Sequence, residues 1–528
     1  MRRMAFEIEL KFHIPADRLA ALRRAVATRA AQTLPMAAVY FDTGGQHLAK
    51  ARVALRLRRE GAQWVQTLKA QGAGTMQRLE HNVVVPSSAL PALEPGSARP
   101  ALDIARHDGS DAGALLRQVL ADAKGAPLVE RYATEVMRTR RVLRHGAARI
   151  ELALDEGQLS AGPRSLPVCE LEFELLHGAP QALLDVAARW VDRFKLVLDV
   201  RSKSERGHLL AAGLAASPPA KARPVRLPLR ASPAQALAAM MAEALDQALA
   251  NASQLAAGGA GPGHLHQLRV GLRRLRSVMR VFAPVQPMGA ADAVPAGTDL
   301  RLPGGGRLAA ALASLFGQLG AARDVDVMAE WLWPALQAAG APAITGPAVP
   351  RAAEAVDLAA LLRAPATQHL WLAALAACLP LQAAPAGPPA GAGAKQASAL
   401  RASLAAPVQR LLRQVQRDAL RFAELDDEGR HRLRRRIKRL RYAAEGLAPL
   451  WRAKAVEKTL DALQRAQTPL GEYNDTVVAL AHCRALAEID PHAWFAVGWL
   501  SARRAALQAP CTKALARLAV VRGFWRQA

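Results

Sequence analysis

Two periodicities divide the chain. Up to about residue 210, apolar and polar side chains alternate in short runs, whereas beyond residue 233 apolar positions recur every three or four residues. Alternation is typical of a strand with one buried face, and the longer spacing is typical of an amphipathic helix. We therefore predict an α+β protein with a strand-rich first part and an all-α second part. The predicted strands are 7–12, 54–58, 64–69, 80–85, 147–154 and 168–175, and helical patterns interrupt them at 16–29, 112–123 and 180–194.

Proline and glycine mark the boundaries between these parts. Five prolines fall between residues 215 and 233, in a stretch without periodicity, which indicates a linker. The predicted organisation is a domain at 1–212, a linker at 213–232 and a helical domain at 233–525. Stretches rich in Gly, Pro and Ala, around 287–306 and 380–396, predict long loops within the helical domain.

The helical part contains an internal repeat. The segment HQLRVGLRRLRSVM begins at His266, and HRLRRRIKRLRYAA begins at His431. Counted from each histidine, basic and apolar residues recur at the same positions, and LGAARD at 319–324 has its counterpart in LGEYND at 470–475. Recurrence at this level predicts two structurally related halves. The matching basic positions are Arg269, Arg273 and Arg276 in the first copy and Arg434, Lys438 and Arg441 in the second.

The charge balance indicates what kind of partner to expect. The 528 residues include 70 Lys and Arg against 44 Asp and Glu, a net charge of +26, which favours polyanions such as nucleic acid, anionic membrane or polyphosphate. The four cysteines form no CxxC pair, which argues against a structural zinc site or a disulfide framework. Without the apolar core of a signal peptide or a run of roughly 20 apolar residues, a cytoplasmic protein with no membrane partner is expected.

Charged side chains in the predicted strands are segregated by sign. Glu7, Glu9 and Lys11 share one strand face, and Glu170, Glu172 and Glu174 share another. Other strands present only bases on one face: Arg56 and Arg58, then Lys69, and then Arg138 and Arg140. One interpretation is an antiparallel sheet with a solvated face. The alternative is a closed barrel whose interior brings both signs together, so that a divalent cation joins the carboxylates to a ligand with several phosphates.

The strand motifs resemble those of the CYTH, or triphosphate tunnel metalloenzyme, superfamily. Its hallmark E-x-E-x-K is matched by Glu7, Glu9 and Lys11, and further motifs follow in the expected order over residues 4–210. The resemblance implies an eight-stranded antiparallel tunnel that hydrolyses or cyclises triphosphates with Mg²⁺ or Mn²⁺. The further motifs are YFDT at 40–43, ALRLR at 54–58, QTLK at 66–69, RLE at 78–80, RTRR at 138–141, IELALD at 150–155, ELEFE at 170–174 and SKSERG at 202–207.

The resemblance also implies roles for individual residues. Glu7, Glu9, Glu170 and Glu172 are expected to hold the metal. Glu7, Glu9 and Lys11 would also act in catalysis, with Glu80 orienting the attacking water. The chain departs from the family at Asn82, where relatives often carry a second acid. The expected phosphate-binding residues are Lys11, Arg56, Arg58, Lys69, Arg138, Arg140 and Lys203.

The repeated helices carry a basic face opposite an apolar one. From His266 to Arg280, and again from His431 to Arg441, there is no acidic residue. An ordinary amphipathic helix with a wet basic face is one interpretation, but such faces usually include acids that limit repulsion. An anion-binding face is the other, with His266 and His431 serving either in structural hydrogen bonds or in phosphate contacts.

These helices resemble the CHAD domain, an all-α domain of two four-helix bundles related by pseudo-symmetry. The resemblance covers about residues 233–525 and implies a surface for linear polyphosphate formed by His266, Arg269, Arg273, Arg276, His431, Arg434, Lys438 and Arg441. Specific nucleic acid is not expected, because only Tyr442 adds an aromatic platform to the basic faces.

The sequence therefore predicts a metal-dependent inorganic triphosphatase that binds inorganic polyphosphate, with association to polyphosphate granules as a further expectation. One alternative is a non-catalytic polyphosphate-binding protein of granules, which Asn82 supports. Another is an enzyme of the same fold that acts on ATP or thiamine triphosphate. Few aromatic residues lie near the basic strands, with Trp64 as the main candidate, and this favours the inorganic substrate.

Overall fold

A computed structural model describes residues 6–72, 74–86, 99–227, 231–282, 306–344, 357–379 and 393–526. The two predicted loops lie almost entirely outside these ranges. The chain forms two compact units. The first comprises Met1–Ala220, Leu249–His264 and Ala359–Leu379, and the second comprises Lys221–Ala248, Leu265–Leu358 and Pro380–Ala528.

The first unit is built on a closed antiparallel barrel. Strands follow one another in the order β5-β4-β3-β2-β6-β7-β8-β1, and a further pairing of β5 with β1 closes the circle. A short ninth strand is added to β1. The strands are β1 Phe6–His13, β2 Gln32–Thr43, β3 Val53–Glu60, β4 Gln63–Gln71, β5 Gln77–Val85, β6 Leu128–His145, β7 Ala148–Ala161, β8 Arg164–His177 and β9 Val197–Leu198.

The hydrophobic core of this unit lies outside the barrel wall. In β1, Leu10 and Phe12 point away from the charged face and are fully buried, and Phe12 meets Phe173 of β8 edge to face at 5.5 Å. Trp190 covers Phe173 from outside the wall. The apolar half of each alternating strand is thus buried under helices, which leaves the polar half to face the lumen. The helices of the first part are α1 Ala16–Val26, α2 His47–Lys50, α3 Asp111–Asp122, α4 Pro180–Phe194 and α5 Lys203–Ala212.

Local signals explain where α5 begins and ends. Ser202 accepts a hydrogen bond from the backbone N–H of Glu205 at 3.0 Å, and Gly213 ends the helix in the left-handed region. This helix brings Lys203 and Arg206 to the barrel. Residues 214–227 form neither a helix nor a strand, as the proline content predicts.

The described residues from Pro233 onward form mainly helices. In the second unit, α12 packs on α13, α13 on α14, and α16 on both α12 and α14. Leu412, Leu433, Ile437, Leu463 and Leu515 are fully buried residues of these four helices. The fold class is therefore α+β, as predicted. The helices are α6 Pro233–Ala256, α7 Pro262–Phe282, α8 Arg307–Val327, α9 Trp333–Ala338, α10 Leu358–Arg363, α11 Pro365–Ala376, α12 Gly393–Leu420, α13 Asp427–Leu447, α14 Ala453–Ala487, α15 Ala493–Ala506 and α16 Gln508–Ala519.

Among the described helices, none has both the length and the apolar character needed to cross a bilayer.

Candidate functional site

Strand register brings the charged residues to the barrel lumen. Glu9 lies opposite Glu174, and Lys11 opposite Glu172. Asp155 lies opposite Glu170 in the neighbouring pair of strands. Residues paired in this way point to the same face of a sheet. The barrel interior, not a solvated outer face, therefore holds the segregated acids and bases.

One cluster in the lumen is centred on Lys69 of β4. Its Nζ lies 2.9 Å from Glu7, 2.6 Å from Glu80 and 3.9 Å from Glu9. Arg78 approaches Glu9 at 3.4 Å. Three predicted acidic residues thus surround a predicted phosphate-binding lysine, and the cluster is half-buried.

Glu7 and Glu80 differ strongly in proton affinity. Burial, together with hydrogen bonding and repulsion from Glu80, raises the pKa of Glu7 to about 9, despite the attraction of Lys69. Burial also opposes ionisation of Glu80, but Lys69, the hydrogen bond from Glu7 and Arg56 hold the pKa of Glu80 well below its usual value. The opposite directions of these two pKa shifts make Glu80 the more readily ionised carboxyl group of the pair.

A second cluster joins β6, β7, β8 and α5. Arg138 donates to both oxygens of Asp155 at 2.6 and 2.7 Å, and to Glu172 at 2.6 Å. Lys203 lies 2.7 Å from Asp155 and 2.9 Å from Glu172, and it also contacts Glu170. Although burial opposes it, Lys203 and Arg138 lower the pKa of Asp155.

Asp155, Glu170 and Glu172 form a group suited to a divalent cation. One oxygen atom from each carboxylate lies within 4.8 Å of the other two. Among the described residues, no other set of three or more Asp, Glu, His or Cys side chains is this close together. Carboxylate oxygens are the ligands that Mg²⁺ and Mn²⁺ prefer. Of the four predicted metal ligands, Glu170 and Glu172 belong to this group. Glu7 and Glu9 belong to the cluster around Lys69.

The remaining bases of the lumen have few partners of opposite charge. Arg56 donates to the hydroxyl of Tyr40 at 3.0 Å. Burial and the neighbouring Arg56 lower the pKa of Arg58 to about 10, although Arg58 also contacts Glu60. Crowded cations of this kind are stabilised by an anion with several charges. Arg140 lies 4.0 Å from Glu151, and its side chain is 41% exposed, more than those of Arg58, Lys69, Arg138 and Lys203.

Asn82 takes part in a hydrogen-bonded chain that ends at Glu80. It accepts from the hydroxyl of Thr67 at 2.7 Å and donates to Glu80 at 2.8 Å. The residue that departs from the family pattern thus fixes the orientation of the carboxylate predicted to position water.

In the helical part, the histidine of the second copy of the repeat is hydrogen bonded to another side chain. His431 is hydrogen bonded to Asn474, and Arg434 lies 3.4 Å from Asp475. Burial and the nearby Arg434 and Arg273 lower the pKa of Lys438 to about 6. Since Arg273 belongs to the first copy of the repeat, α7 and α13 contribute to one shared basic face.

The basic face also carries an aromatic ring that sequence reasoning missed. The guanidinium groups of Arg269 and Arg276 lie over the ring of Phe316, at 4.6 and 5.2 Å. Tyr442 is buried, with the guanidinium of Arg441 lying over its ring at 5.2 Å, as the expectation of an aromatic residue there requires. It is not the only such residue, because Phe316 of α8, outside the repeated segment, adds a second ring. The side chains of 321–329, which include most of LGAARD and its neighbours, lie outside the described residues.

Comparison with known families agrees with this geometry. The CYTH domain family matches residues 5–207, and the CHAD domain family matches residues 239–484. The chain combines a CYTH domain with a CHAD domain.

Individual relatives cover only parts of the chain. The chain is 28% identical over 186 residues to the inorganic triphosphatase of Haemophilus influenzae, a match that spans 34% of this chain and 47%, about half, of that protein. The CHAD domain from the plant Ricinus communis is 26% identical, with a TM-score of 0.44, and covers 58% of this chain and 98% of its own. HpAC1 of Hippeastrum, a candidate adenylyl cyclase with a dominant triphosphatase activity, is 16% identical, with a TM-score of 0.26, covering 39% and 96%.

Within the CYTH domain, two residues join the site beyond those predicted. Asp155 completes the carboxylate group, and Arg206 contacts Glu170. The alternation along β7 places Asp155 on the same strand face as Glu151, and this is the sequence feature that indicates a position in the lumen for Asp155. Arg206 lies within the SERG motif, but the motif alone does not show that α5 directs this side chain to the lumen.

Proposed function

We propose that this protein is a metal-dependent inorganic triphosphatase, which splits triphosphate into pyrophosphate and phosphate, and that its CHAD domain binds inorganic polyphosphate. The observation that carries the first part is the convergence of carboxylates and bases inside one barrel. Such an interior suits a metal-bound string of phosphoryl groups, since each sign of charge then finds a partner.

Each side chain has a defined task in this proposal. Glu7, Glu9, Glu170 and Glu172, with Asp155, would hold Mg²⁺ or Mn²⁺, which neutralises charge on the phosphate oxygens when bound. Arg56, Arg58, Lys69, Arg138, Arg140 and Lys203, with Lys11, would hold the phosphates in line for attack. Phosphoryl transfer depends mainly on such positioning and charge neutralisation.

Glu80 is the residue assigned to the attacking water. Its carboxylate is held ionised by Lys69, and Asn82 fixes its orientation. An ionised carboxylate can accept a hydrogen bond from a water molecule and so orient a lone pair of the water oxygen toward the terminal phosphorus. Lys11, whose ammonium is hydrogen bonded to the carbonyl oxygen of Arg201, would complete the catalytic set.

The position of Trp64 favours an inorganic substrate over ATP or thiamine triphosphate. Trp64 packs against Phe41, Leu57 and Val85, on the face of β4 opposite that of Lys69. The ring is therefore not placed to stack on a base within the barrel.

The test is a substrate panel on the purified chain. Triphosphate, ATP, thiamine triphosphate and long polyphosphate are each offered with Mg²⁺ and with Mn²⁺, and phosphate release is measured. We expect preferential cleavage of triphosphate and its loss in Glu9→Ala. The matched control is Glu135→Ala, which removes an exposed carboxylate from β6. Absence of turnover, or equal turnover in both variants, would refute the enzymatic proposal.

The same assay distinguishes the non-catalytic alternative, which Asn82 supports because an acid is missing at this position. That alternative predicts polyphosphate binding with negligible turnover. Association with polyphosphate granules is part of our proposal for the CHAD domain. Granule association requires that the CHAD domain binds polyphosphate. That binding is tested with Arg273→Gln/Arg434→Gln/Lys438→Gln, which we name the face variant, and an affinity for polyphosphate equal to that of the parent would contradict the proposal.

A further inference from the structure

A second concentration of positive charge lies on the helical unit, next to Arg276 of the face predicted to bind polyphosphate. Helices α7, α12 and α13 enclose an open cavity of about 1250 Å³. Eight arginines line it, and we name it the arginine groove. Three come from α12, namely Arg410, Arg413 and Arg417, and Arg280 comes from α7. None of these four arginines belongs to the residues assigned to triphosphate hydrolysis or to the histidine-bearing face.

The remaining four arginines are Arg432, Arg435, Arg436 and Arg439 of α13. On α12 the arginines are three, four and seven residues apart, which places them in one row along the helix. On α13 the four arginines fall within an arc of about 100° at 3.6 residues per turn, with Arg435 and Arg436 at its two edges. A span of seven residues is about 10 Å at 1.5 Å per residue. The groove is therefore a track with a basic row on each side.

The arginine groove adjoins the face predicted to bind polyphosphate, because Arg276 of that face lies near Arg280 and Arg435 of the groove. On α13, however, the two sets of side chains point in different directions. On α13, the groove side chains point about 130° around the helix from the direction shared by His431, Arg434, Lys438 and Arg441, at 3.6 residues per turn. In both sets some cations have carboxylate partners. In the face, Arg434 is close to Asp475, and Arg441 lies 3.3 Å from Glu445.

Most charges in the groove are not neutralised within the protein. Arg436 contacts Asp418, and Arg432 lies 3.5 Å from Glu428. Within the part of the chain that the structure describes, the other six arginines have no carboxylate within 4.0 Å. Burial and repulsion from Arg280, Arg435 and Arg436 lower the pKa of Arg439 to about 10. Crowding of this kind is costly unless an external anion balances it.

The lining indicates which anion fits. It contains arginine, glutamine and small or aliphatic residues, and no aromatic ring on which a base could stack. Two facing rows of arginines suit a ligand with charge at every step of its chain. A polynucleotide separates its phosphates by sugars, whereas inorganic polyphosphate places one charge on each successive phosphorus.

We propose that the arginine groove is a second binding track for linear inorganic polyphosphate, additional to the histidine-bearing face. This inference rests on the proposed function, in that it takes the CHAD domain to be a polyphosphate-binding unit. A long chain would occupy the face and the groove together, and a short chain would occupy either one.

The experiment compares full-length variants by calorimetric titration with long-chain polyphosphate at several salt concentrations. The groove variant is Arg413→Gln/Arg417→Gln/Arg435→Gln/Arg439→Gln. A matched control, Arg452→Gln/Arg465→Gln/Arg484→Gln/Arg522→Gln, removes the same charge from exposed positions outside the groove. All eight side chains are at least partly exposed, so both proteins are expected to fold. The face variant is measured in parallel, alone and combined with the groove variant.

For the groove variant, we expect the affinity for polyphosphate to fall by at least about 10-fold. The slope of log K against log salt concentration should become less steep by about 3, because each of the four lost phosphate contacts contributes about 0.7, as in single-stranded polyanions. The control should match the parent chain. The face variant should retain binding that disappears when both sets are combined. Hydrolysis of triphosphate should be the same in the groove variant and the parent.

Several results would overturn the inference. If the groove variant binds as the control does, or if the face variant alone abolishes all binding, the groove has no such role while the proposed function stands. If the parent chain binds no polyphosphate, the binding half of the proposed function fails together with this inference. Tighter groove-dependent binding of single-stranded RNA or of anionic lipid vesicles than of polyphosphate would show that the ligand is of another class.

Discussion

Replacement of Asp155 by alanine tests the organisation of the barrel interior most directly. Asp155 is fully buried and bonded to two cations, Arg138 and Lys203. On the same strand, Glu156 points to the opposite face and pairs with Arg23 at 2.6 Å, where the two side chains are 28% and 55% exposed. Glu156→Ala therefore removes one carboxylate from the same strand but from a solvated setting.

The expected magnitude follows from the contacts that are lost. Breaking a buried ion pair by removing one partner costs about 3–5 kcal/mol. Arg138 and Lys203 keep Glu172 as a partner, so the loss for Asp155→Ala should lie at the lower end, about 3 kcal/mol. The exposed pair of Glu156 is worth about 0.2–1 kcal/mol. The two variants should therefore differ by about 2 kcal/mol.

Native-state hydrogen exchange is the appropriate assay, because the two compact units need not unfold together. Amides of β6 and β7 should exchange about 30-fold faster in Asp155→Ala than in Glu156→Ala, at 1.4 kcal/mol per factor of ten. Because Lys203 and Arg138 lower the pKa of Asp155 against the effect of burial, the stabilisation is present above the unfolded pKa and is lost as the pH falls through the folded pKa. Equal exchange rates in the two variants at neutral pH would refute the reasoning.

Three further changes test other parts of the structure. His107 is buried beside His81, and burial with this neighbour lowers its pKa to about 4. Between pH 6.5 and 4 the unfolded state therefore binds more protons than the folded state. As the pH decreases through this range, the free energy of unfolding decreases by at most about 3 kcal/mol, or by about half of that after solvent screening. His107→Gln should flatten this dependence in thermal unfolding, whereas the exposed His177→Gln should not. A Cβ on Gly207 would lie 2.2 Å from the ring of Tyr132, so Gly207→Ala should cost about 1–3 kcal/mol, measured by hydrogen exchange of β6. Gly498→Ala, which meets nothing within 4 Å, should instead stabilise its helix by about 0.5–1 kcal/mol, and a loss there would contradict the packing argument. Asn82→Leu should lower kcat for triphosphate with little change in KM, because only the orientation of Glu80 is disturbed, whereas a rise in KM alone would assign Asn82 to substrate binding.

The alternating strands were predictable wherever one face of the strand is apolar and the other charged. The predicted 7–12, 54–58 and 64–69 lie within β1, β3 and β4. The strand β2 was not predicted, because its residues from Tyr40 to Thr43 are buried on both faces and show no alternation. The full extent of β6 and β7 was also missed, since a long antiparallel pair continues past the segment where its side chains alternate clearly.

The sequence by itself determined the sign and phase of the charges on each strand, and the acid-free faces of α7 and α13. These features are local, because the side-chain period of a strand or helix follows from its backbone geometry. The tertiary structure alone decided which charges meet. Closure of the barrel through β5 and β1 sets Glu7 and Glu80 around Lys69, and the register of β7 with β8 adds Asp155 to Glu170 and Glu172. Likewise, the packing of α12 on α13 assembles two separate rows of arginine into one groove. Contacts between residues far apart in the chain depend on register and packing, and neither is contained in the periodicity of a single segment.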